Sequence, residues 1–337
     1  MQPEATPSVA WGILSSAAIG LHRIIPAIAA SRNGTLQAIG TPRPERVREV
    51  AERYRIAHVY QSYEEVLADP VVEAVYNPLP NALHHEWTRR ALNAGKHVLC
   101  EKPFTLTPAE AAELVDLAHQ QGRQLMEAFM YRFHPQQERV RQLLDDDAIG
   151  PVRLVRASFT FVLPPNPQNI RYSRGLGGGA LMDVGCYCLN AIRAYAGEPE
   201  AVQATMVLDP ETEVDVTTMG QLECGEALAL FDCSYAMAGH IQLEIMGTCG
   251  RIEVPRCWLP GEGPATLWLT TGSDTKEIQI PGVDQYQLQV EHFADAIRGR
   301  EPLRLPPEDA LQNTRVIEAV RRAATHGCRV ALSEIEP

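Results

Sequence analysis

Glu101-Lys102-Pro103 places a lysine directly after Gly95-Lys96-His97-Val98-Leu99-Cys100, which reads as a buried strand entered from a turn. A residue before proline is pushed out of the helical region, so Lys102 is held at the strand's carboxyl end. In an open parallel α/β sheet, ligands bind at that edge. An ammonium fixed there could polarise a hydroxyl or a carbonyl, although a solvated lysine in a turn has the same appearance in sequence. Farther along, Gly177-Gly178-Gly179-Ala180-Leu181-Met182-Asp183-Val184-Gly185-Cys186-Tyr187 sets a carboxylate four residues before a phenol, on one face of a predicted helix. The three glycines allow close backbone approach. A carboxylate and a phenol projected together can orient and protonate a hydroxyl. The phenol's ordinary pKa is roughly 10, and a neighbouring Lys102 ammonium would lower it by favouring phenolate. Without that partner, Tyr187 reads as a packed aromatic.

The elements around these residues divide the chain in two. Apolar strands near 9–14, 36–39, 72–76, 95–100 and 124–129 alternate with helices near 21–30, 45–54 and 82–94. Ser62-x-x-Glu65 is a capping box, and Thr107-Pro108-Ala109-Glu110 opens another helix that Gly122 is placed to end. This rhythm predicts an α/β fold whose first domain, 1–129, is a Rossmann doubly wound parallel sheet. Beyond Gly150-Pro151 the strands lengthen, near 154–163, 201–208, 217–223, 227–236 and 241–246, with one helix near 180–196 among them. Helices return near 288–297 and 308–326. The second domain, 130–337, is therefore expected to be α+β with a large, mostly antiparallel open sheet.

A chain of 337 residues can bury a sizeable core and suits two domains. Its 42 acidic against 30 basic residues, net −12, disfavour a nucleic-acid partner. Met1-Gln2-Pro3-Glu4-Ala5-Thr6-Pro7 lacks the basic start and apolar run of a signal peptide, and no stretch approaches a membrane span. A soluble cytoplasmic protein with no membrane partner is expected. The eight cysteines show no C-x-x-C and read as reduced, mostly buried thiols. His85-Glu86 opens like a zincin helix, but Arg89 stands where the second histidine would be required, so no metal site is expected.

A dinucleotide fingerprint belongs in the turn after the first strand, where glycines let the backbone approach a pyrophosphate at a helix N-terminus. The positions here read Ser15-x-Ala17-x-x-Gly20. Gly12, Ser15, Ser16, Ala17, Ala18 and Ile19 form the candidate cofactor turn, with two hydroxyls that could donate to phosphate. An ordinary strand-to-helix turn fits that stretch equally well. After the second strand, Gly40-Thr41-Pro42-Arg43 offers no acid for a ribose diol, and Arg43 suits a 2′-phosphate. Thr41 and Arg43 therefore favour NADP over NAD, against a basic turn that binds nothing. Asn77-Pro78-Leu79-Pro80-Asn81, with His84 one helical turn on, converges on the edge that holds Glu101 and Lys102. Such a loop can clamp a cofactor or simply connect a strand to a helix.

Four stretches in one order make the chain resemble the glucose-fructose oxidoreductase / inositol dehydrogenase (Gfo/Idh/MocA) superfamily over nearly its whole length. They are Pro78-Leu79-Pro80-Asn81-Ala82-Leu83-His84, Glu101-Lys102-Pro103, Glu127-Ala128-Phe129-Met130-Tyr131-Arg132-Phe133-His134-Pro135, and Gly177-Gly178-Gly179 through Tyr187. Tyr187, where one large branch has histidine, together with Asn169-Ile170-Arg171, is similar to the branch holding NADP-dependent D-xylose 1-dehydrogenase and dimeric dihydrodiol dehydrogenase. The resemblance implies an NAD(P)-dependent oxidoreductase that passes a hydride between the nicotinamide and a carbinol or carbonyl carbon of a sugar, polyol or diol. It implies that Tyr187 exchanges the hydroxyl proton, Lys102 tunes Tyr187 and holds the oxygen, and Asp183 orients the substrate. By the same resemblance Pro78, Leu79, Asn81, His84, Glu101 and Lys102 hold the cofactor, while Tyr131, Arg132, Arg171 and Asp183 bind substrate. Relatives usually keep more glycine in the first turn, and Pro42 replaces an arginine of theirs. A non-catalytic dinucleotide- or sugar-binding regulatory protein on the same fold is the competing expectation. The open sheet implies a homodimer or homotetramer.

Overall fold

A computed structural model of the chain describes residues 8–336. The stretch Met1–Pro7, read above for the features of a signal peptide, lies outside the described residues. The described residues fall into two compact units, each built on its own sheet.

In the first unit, β1 (Val9–Leu14), β2 (Gly34–Gly40), β3 (His58–Tyr60), β4 (Ala74–Asn77), β5 (His97–Cys100) and β6 (Leu125–Glu127) make one sheet of order β3-β2-β1-β4-β5-β6. Every pairing in it is parallel. Helices cover both faces, so the strands are short and apolar, with Trp11, Ile13, Val75, Tyr76, Val98 and Leu99 fully buried. A Cβ on Gly12 would lie 2.5 Å from Val66 Cγ1, so the glycine lets the helix Tyr63–Ala68 press against β1. That helix carries the expected capping box, with Ser62 Oγ accepting from the Glu65 amide and Glu65 Oε2 from the Ser62 amide. Gly122 adopts φ 60° just after the helix Pro108–Gln121, in the region glycine occupies without steric cost.

The domain boundary differs from the expected division at 129/130. Asp284–Leu311, far along the chain, belongs to the first unit, while Leu106–Ala109 belongs to the second. Polar and aromatic anchors explain the recruitment. Arg32 bonds Glu291 and Asp295, Asn33 Nδ2 donates to Asp295 Oδ1 at 2.9 Å, and Arg298 grips both carboxylate oxygens of Glu73. Trp11 and Phe293 meet with ring centroids 5.7 Å apart. The helix, Gln285–Ile297, begins before the expected Leu288, because the Asp284 carboxylate caps it by accepting from the Tyr286 amide at 2.8 Å.

In the second unit, β7 (Val152–Val162), β8 (Ala201–Leu208), β9 (Asp215–Cys224), β10 (Ala227–Ser234), β11 (Ala236–Gly247), β12 (Gly250–Pro255), β13 (Ala265–Thr271), β14 (Asp274–Ile280) and β15 (Val330–Ala331) form a second sheet. Its order is β14-β13-β12-β11-β7-β10-β9-β8-β15, with β7 and β10 parallel and the other pairs antiparallel. The α/β and α+β expectation therefore holds. Along β10, Ala229, Phe231 and Cys233 are buried while Leu228 and Leu230 are 57% and 40% exposed, so one face is covered and the other open. The helix expected at 180–196 is present as a π-helical stretch, Leu181–Gly185, that continues into an α-helix, Cys186–Ala196. A helix at Pro135–Asp145 was not anticipated, although His134-Pro135 opens it with a side-chain cap and a proline at the first position. The eight cysteines form no disulfide among the described residues, and six of them are buried. Among the described residues, no helix is long and apolar enough to cross a membrane.

Candidate active site

The turn after β1 has backbone geometry that glycine usually supplies. Ser15 holds φ 87°, donates its amide to the Gly40 carbonyl at 2.8 Å, and accepts the Ala17 amide on Oγ at 3.1 Å. Its hydroxyl is therefore folded back on the turn as an acceptor, with its own proton still available to donate. Ser16, Ala17, Ala18 and Ile19 are small or partly exposed, and the helix starts at Ala18, where first-turn amides have no intrahelical acceptor. These residues fit the pyrophosphate of a dinucleotide. Gly12 does not touch that surface, because it is enclosed against Val66 and Val72, and it is withdrawn from the cofactor set. At the end of β2, Thr41 is buried and accepts the Arg43 amide on Oγ1 at 3.2 Å, which leaves Arg43 exposed beside Pro42. Burial raises the pKa of the Tyr63 phenol, and the nearby Arg43 charge opposes that rise.

Lys102 follows β5 at the carboxyl edge of the sheet and enters a cis peptide bond with Pro103. Glu101 beside it accepts the Tyr76 hydroxyl at 2.5 Å and passes its own amide to the Asn77 carbonyl at 3.0 Å. In the loop after β4, Leu79 donates its amide to Asn77 Oδ1 at 3.3 Å, and Pro78 Cγ approaches Gly20 of the first turn. His84 is a correction to the cofactor set. It is fully enclosed, with one ring nitrogen 2.8 Å from the Pro103 carbonyl and the other 2.7 Å from the Leu79 carbonyl. It braces the loop from behind and offers no nitrogen to a ligand. Burial lowers its pKa to about 4; the two carbonyls oppose that fall and the Lys102 charge adds to it. Tyr286 is a neighbour the sequence reading missed. Its phenol is pushed up to about 12 by burial and by Glu101, with Arg23 and Lys102 opposing, and Arg23 lies 5.9 Å over its ring. The capping pattern of Asp284 was its only local signal.

In the second unit Tyr187 lies in an aromatic enclosure. Its ring centroid is 5.7 Å from that of Phe159, 5.9 Å from Tyr131 and 6.0 Å from Trp258. Asp183 Oδ2, one turn earlier, accepts Arg171 Nε at 2.6 Å and the Tyr235 hydroxyl at 3.1 Å. Asp183 holds the Arg171 guanidinium above its ordinary pKa, and Tyr187 is near enough to add to that effect. The triple glycine works locally: a Cβ on Gly178 would sit 2.5 Å from the Arg171 carbonyl oxygen, and one on Gly179 would sit 2.0 Å from Asp215 Oδ1. Asp215 in turn accepts the Leu181 amide at 2.7 Å, anchoring the first turn that carries Asp183. Tyr131 is a third correction. It is fully buried, gives its hydroxyl to Asn190 Oδ1 at 2.6 Å and packs against the Tyr187 ring, so its hydroxyl is committed within the protein. Arg132 shares that acceptor at 3.2 Å and is half-buried. Tyr235, Trp258, Asn190 and Asp215 escaped the sequence reading because each lies on a separate strand, helix or loop with no local motif.

A parallel sheet of this order, with a small-residue turn after its first strand and a lysine leaving the fifth, defines a dinucleotide-dependent class of enzyme. Residues 10–129 match the oxidoreductase family with an NAD-binding Rossmann fold, and residues 138–253 match the GFO/IDH/MocA C-terminal domain. The chain belongs to the GFO/IDH/MocA oxidoreductase family and is an NAD(P)-dependent oxidoreductase. It is 38% identical over 325 residues to D-xylose 1-dehydrogenase (NADP(+)) 2 of Haloferax volcanii, covering 96% of this chain and 99% of that one. It is 36% identical to a dTDP-3,4-didehydro-2,6-dideoxy-alpha-D-glucose 3-reductase of Actinomadura kijaniata, covering 96% and 97% of the two chains. Among solved structures, a 3-ketoreductase from Actinomadura kijaniata in complex with NADP and TDP-benzene superposes with TM-score 0.88 at 33% identity, over 94% of this chain and 98% of that one. An aldose-aldose oxidoreductase from Caulobacter crescentus complexed with glycerol superposes with TM-score 0.89 at 31% identity, over 96% and 99%.

Proposed function

We propose that this oxidoreductase interconverts a carbinol and a carbonyl on a sugar, polyol or diol, with NADP preferred over NAD. The observation that carries the reading is the place of Lys102, at the carboxyl edge of the parallel sheet beside the strand whose exit loop is Pro78–Asn81. Relatives named for D-xylose, a dTDP-linked deoxysugar and a trans-dihydrodiol support the substrate class. Arg43, and the lack of any acid from Gly40 to Arg43, support NADP.

A bound nicotinamide supplies or accepts the hydride. Tyr187 gives or takes the proton of the substrate hydroxyl. Lys102, a cation fixed at the sheet edge, donates to a substrate oxygen. The Asp183–Arg171 pair orients the remaining substrate oxygens, with Arg132 at the margin of that set. Ser15 to Ile19 take the pyrophosphate, Thr41 and Arg43 the adenosine end, and Glu101 with Pro78, Leu79 and Asn81 the nicotinamide half.

The uncovered face of the second sheet supports a homodimer or homotetramer. Val207, Met219, Leu228 and Leu230 stand exposed on it, an apolar surface that a second copy would bury. Eight cysteines without a disulfide among the described residues fit a reducing, cytoplasmic setting. Titration with NADP and NAD, followed by a screen of aldoses, polyols and diols at the nicotinamide absorbance, tests the reading. Saturable NADP binding with turnover of a polyhydroxylated compound is expected. Failure of both nucleotides to bind at millimolar concentration would overturn it.

A further inference from the structure

The Arg171–Asp183 pair is held from several sides. Asp183 Oδ2 receives Arg171 Nε at 2.6 Å and the Tyr235 hydroxyl at 3.1 Å, and only 14% of the Asp183 side chain is exposed. Tyr235 is itself immobilised. Its ring meets Phe161 at 5.4 Å and Tyr172 at 5.8 Å between centroids, and its single hydroxyl proton is shared between Asp183 Oδ2 and the Gly179 carbonyl, which lies at 3.0 Å. Burial and the Asp183 charge keep the Tyr235 phenol protonated, so it remains a donor. The backbone of Arg171 is clamped as well, with its carbonyl taken by the Gly179 amide at 2.9 Å and its amide by Asn169 Oδ1 at 3.1 Å.

The guanidinium ends differently from everything that holds it. The Arg171 side chain is 43% exposed, and its two terminal nitrogens bond to nothing among the described residues. Those nitrogens can only donate, so they select an oxygen acceptor. Because Asp183 balances the charge of Arg171, the pair suits a neutral polyhydroxylated ligand and does not call for an anion.

We propose that Tyr235 is a positioning residue which, through Asp183, fixes Arg171 to receive a substrate oxygen other than the one being oxidised or reduced. Asp183 then acts behind Arg171, and Arg171 makes the sugar contact. The inference rests on the carbohydrate-oxidoreductase reading above and assigns its second recognition point.

Steady-state kinetics with NADP and a sugar found in the screen, together with NADP titration, provide the test. Tyr235→Phe keeps the ring and is expected to raise KM for the sugar about tenfold, with the smaller part of the effect in kcat and NADP affinity unchanged. Tyr235→Phe combined with Asp183→Asn should be no worse than Asp183→Asn alone, because the hydroxyl acts through the carboxylate. Arg171→Met should abolish the preference for the sugar over its deoxy analogues. Unchanged KM in Tyr235→Phe, or effects that multiply in the double variant, would overturn the proposal. If Tyr235→Phe does not fold, Tyr235→His, which keeps a ring and a donor, takes its place in the same cycle, and effects that multiply with Asp183→Asn would refute the proposal. Loss of NADP binding by the wild-type protein would sink the functional reading itself, whereas normal binding with an unchanged KM sinks this inference alone.

Discussion

His84 Nδ1 lies 2.8 Å from the carbonyl oxygen of Pro103, and the same ring meets the Leu79 carbonyl at 2.7 Å through Nε2. The neutral imidazole has a single N–H, so it donates to one of these carbonyls and packs its other nitrogen against the second, spanning the loop after β4 and the segment that carries Lys102. His84→Leu fills similar space but leaves a buried carbonyl without a donor, which costs about 1–3 kcal/mol. The variant should unfold at lower urea and bind NADP more weakly, because the Pro78–Asn81 loop loses its brace. Wild-type values for both measurements would reduce the ring to a space filler.

Three histidines make stability fall on acidification. Burial is the first cause that depresses His84, His97 and His134 each to about 4. An unfolded histidine titrates near ~6.5. Between those values the unfolded chain binds protons that the folded chain refuses, so the stability these rings contribute is complete above the unfolded pKa and is lost as pH falls towards 4. The slope is roughly 1.4 kcal/mol per pH unit for each histidine at full effect. Urea denaturation at about pH 7.5 and about pH 5 should show the loss. His134→Asn, which can still accept at the helix cap, should remove one histidine's share, and a slope identical to wild type would exclude His134 from it.

What was legible in the sequence follows from which interactions are local. The strand Val9–Leu14 and the Ser62 capping box were readable because apolar runs and caps act over a few residues. The recruitment of Asp284–Leu311 into the first unit was not readable, since it depends on Arg32 and Asn33 meeting Glu291 and Asp295 more than 250 positions away. Among the candidate residues, Lys102, Asp183, Tyr187 and Arg171 were visible in motifs, but the direct bond between Arg171 and Asp183 required the turn through Gly177–Gly179. Tyr131 carried a motif without revealing that its hydroxyl is given to Asn190. Tyr235 lies between two alternating strands and carried no motif.

Lys102→Met and Tyr187→Phe test the proton-transfer assignment. A phenylalanine keeps the packing of ring 187 against Phe159 and Trp258 and removes only the hydroxyl. Each substitution should lower kcat/KM by roughly 100- to 10,000-fold, the range of general acid–base catalysis, while NADP still binds to the Tyr187 variant. Turnover within a few-fold of wild type would remove that residue from the chemistry.

Arg43 is proposed to set nucleotide selectivity. The Thr41 hydroxyl accepts the Arg43 amide at 3.2 Å, so a short turn, with Pro42 inside it, sets the direction in which the arginine leaves the sheet edge. Arg43→Ala should weaken NADP binding while leaving NAD almost untouched, because only the former carries the extra phosphate. Competition titration of the two nucleotides measures the ratio, and an unchanged ratio would show that Arg43 does not read the phosphate.

Asp215 anchors the turn that carries Asp183, and its charge works against the fold. Its Oδ2 accepts the Leu181 amide at 2.7 Å and the Thr218 hydroxyl at 2.8 Å, but burial raises its pKa above the usual carboxylate value. For a carboxyl with a raised folded pKa, the favourable contribution is present below the unfolded value, roughly 3.8, and is lost as pH rises through the folded value. Asp215→Asn keeps an oxygen for both donors and carries no charge. It should therefore match or exceed wild-type stability near neutral pH and lose that advantage as pH falls towards the unfolded pKa. Asp215→Ala loses the cap instead and should cost about 0.5–2 kcal/mol at neutral pH, with kcat falling as Asp183 and Tyr187 lose their fixed origin. Urea midpoints of the three proteins at about pH 4.5 and about pH 7.5 separate these outcomes. An Asn variant much weaker than wild type at neutral pH would mean that the carboxylate charge itself, held against the first amides of the helix, is what stabilises the turn.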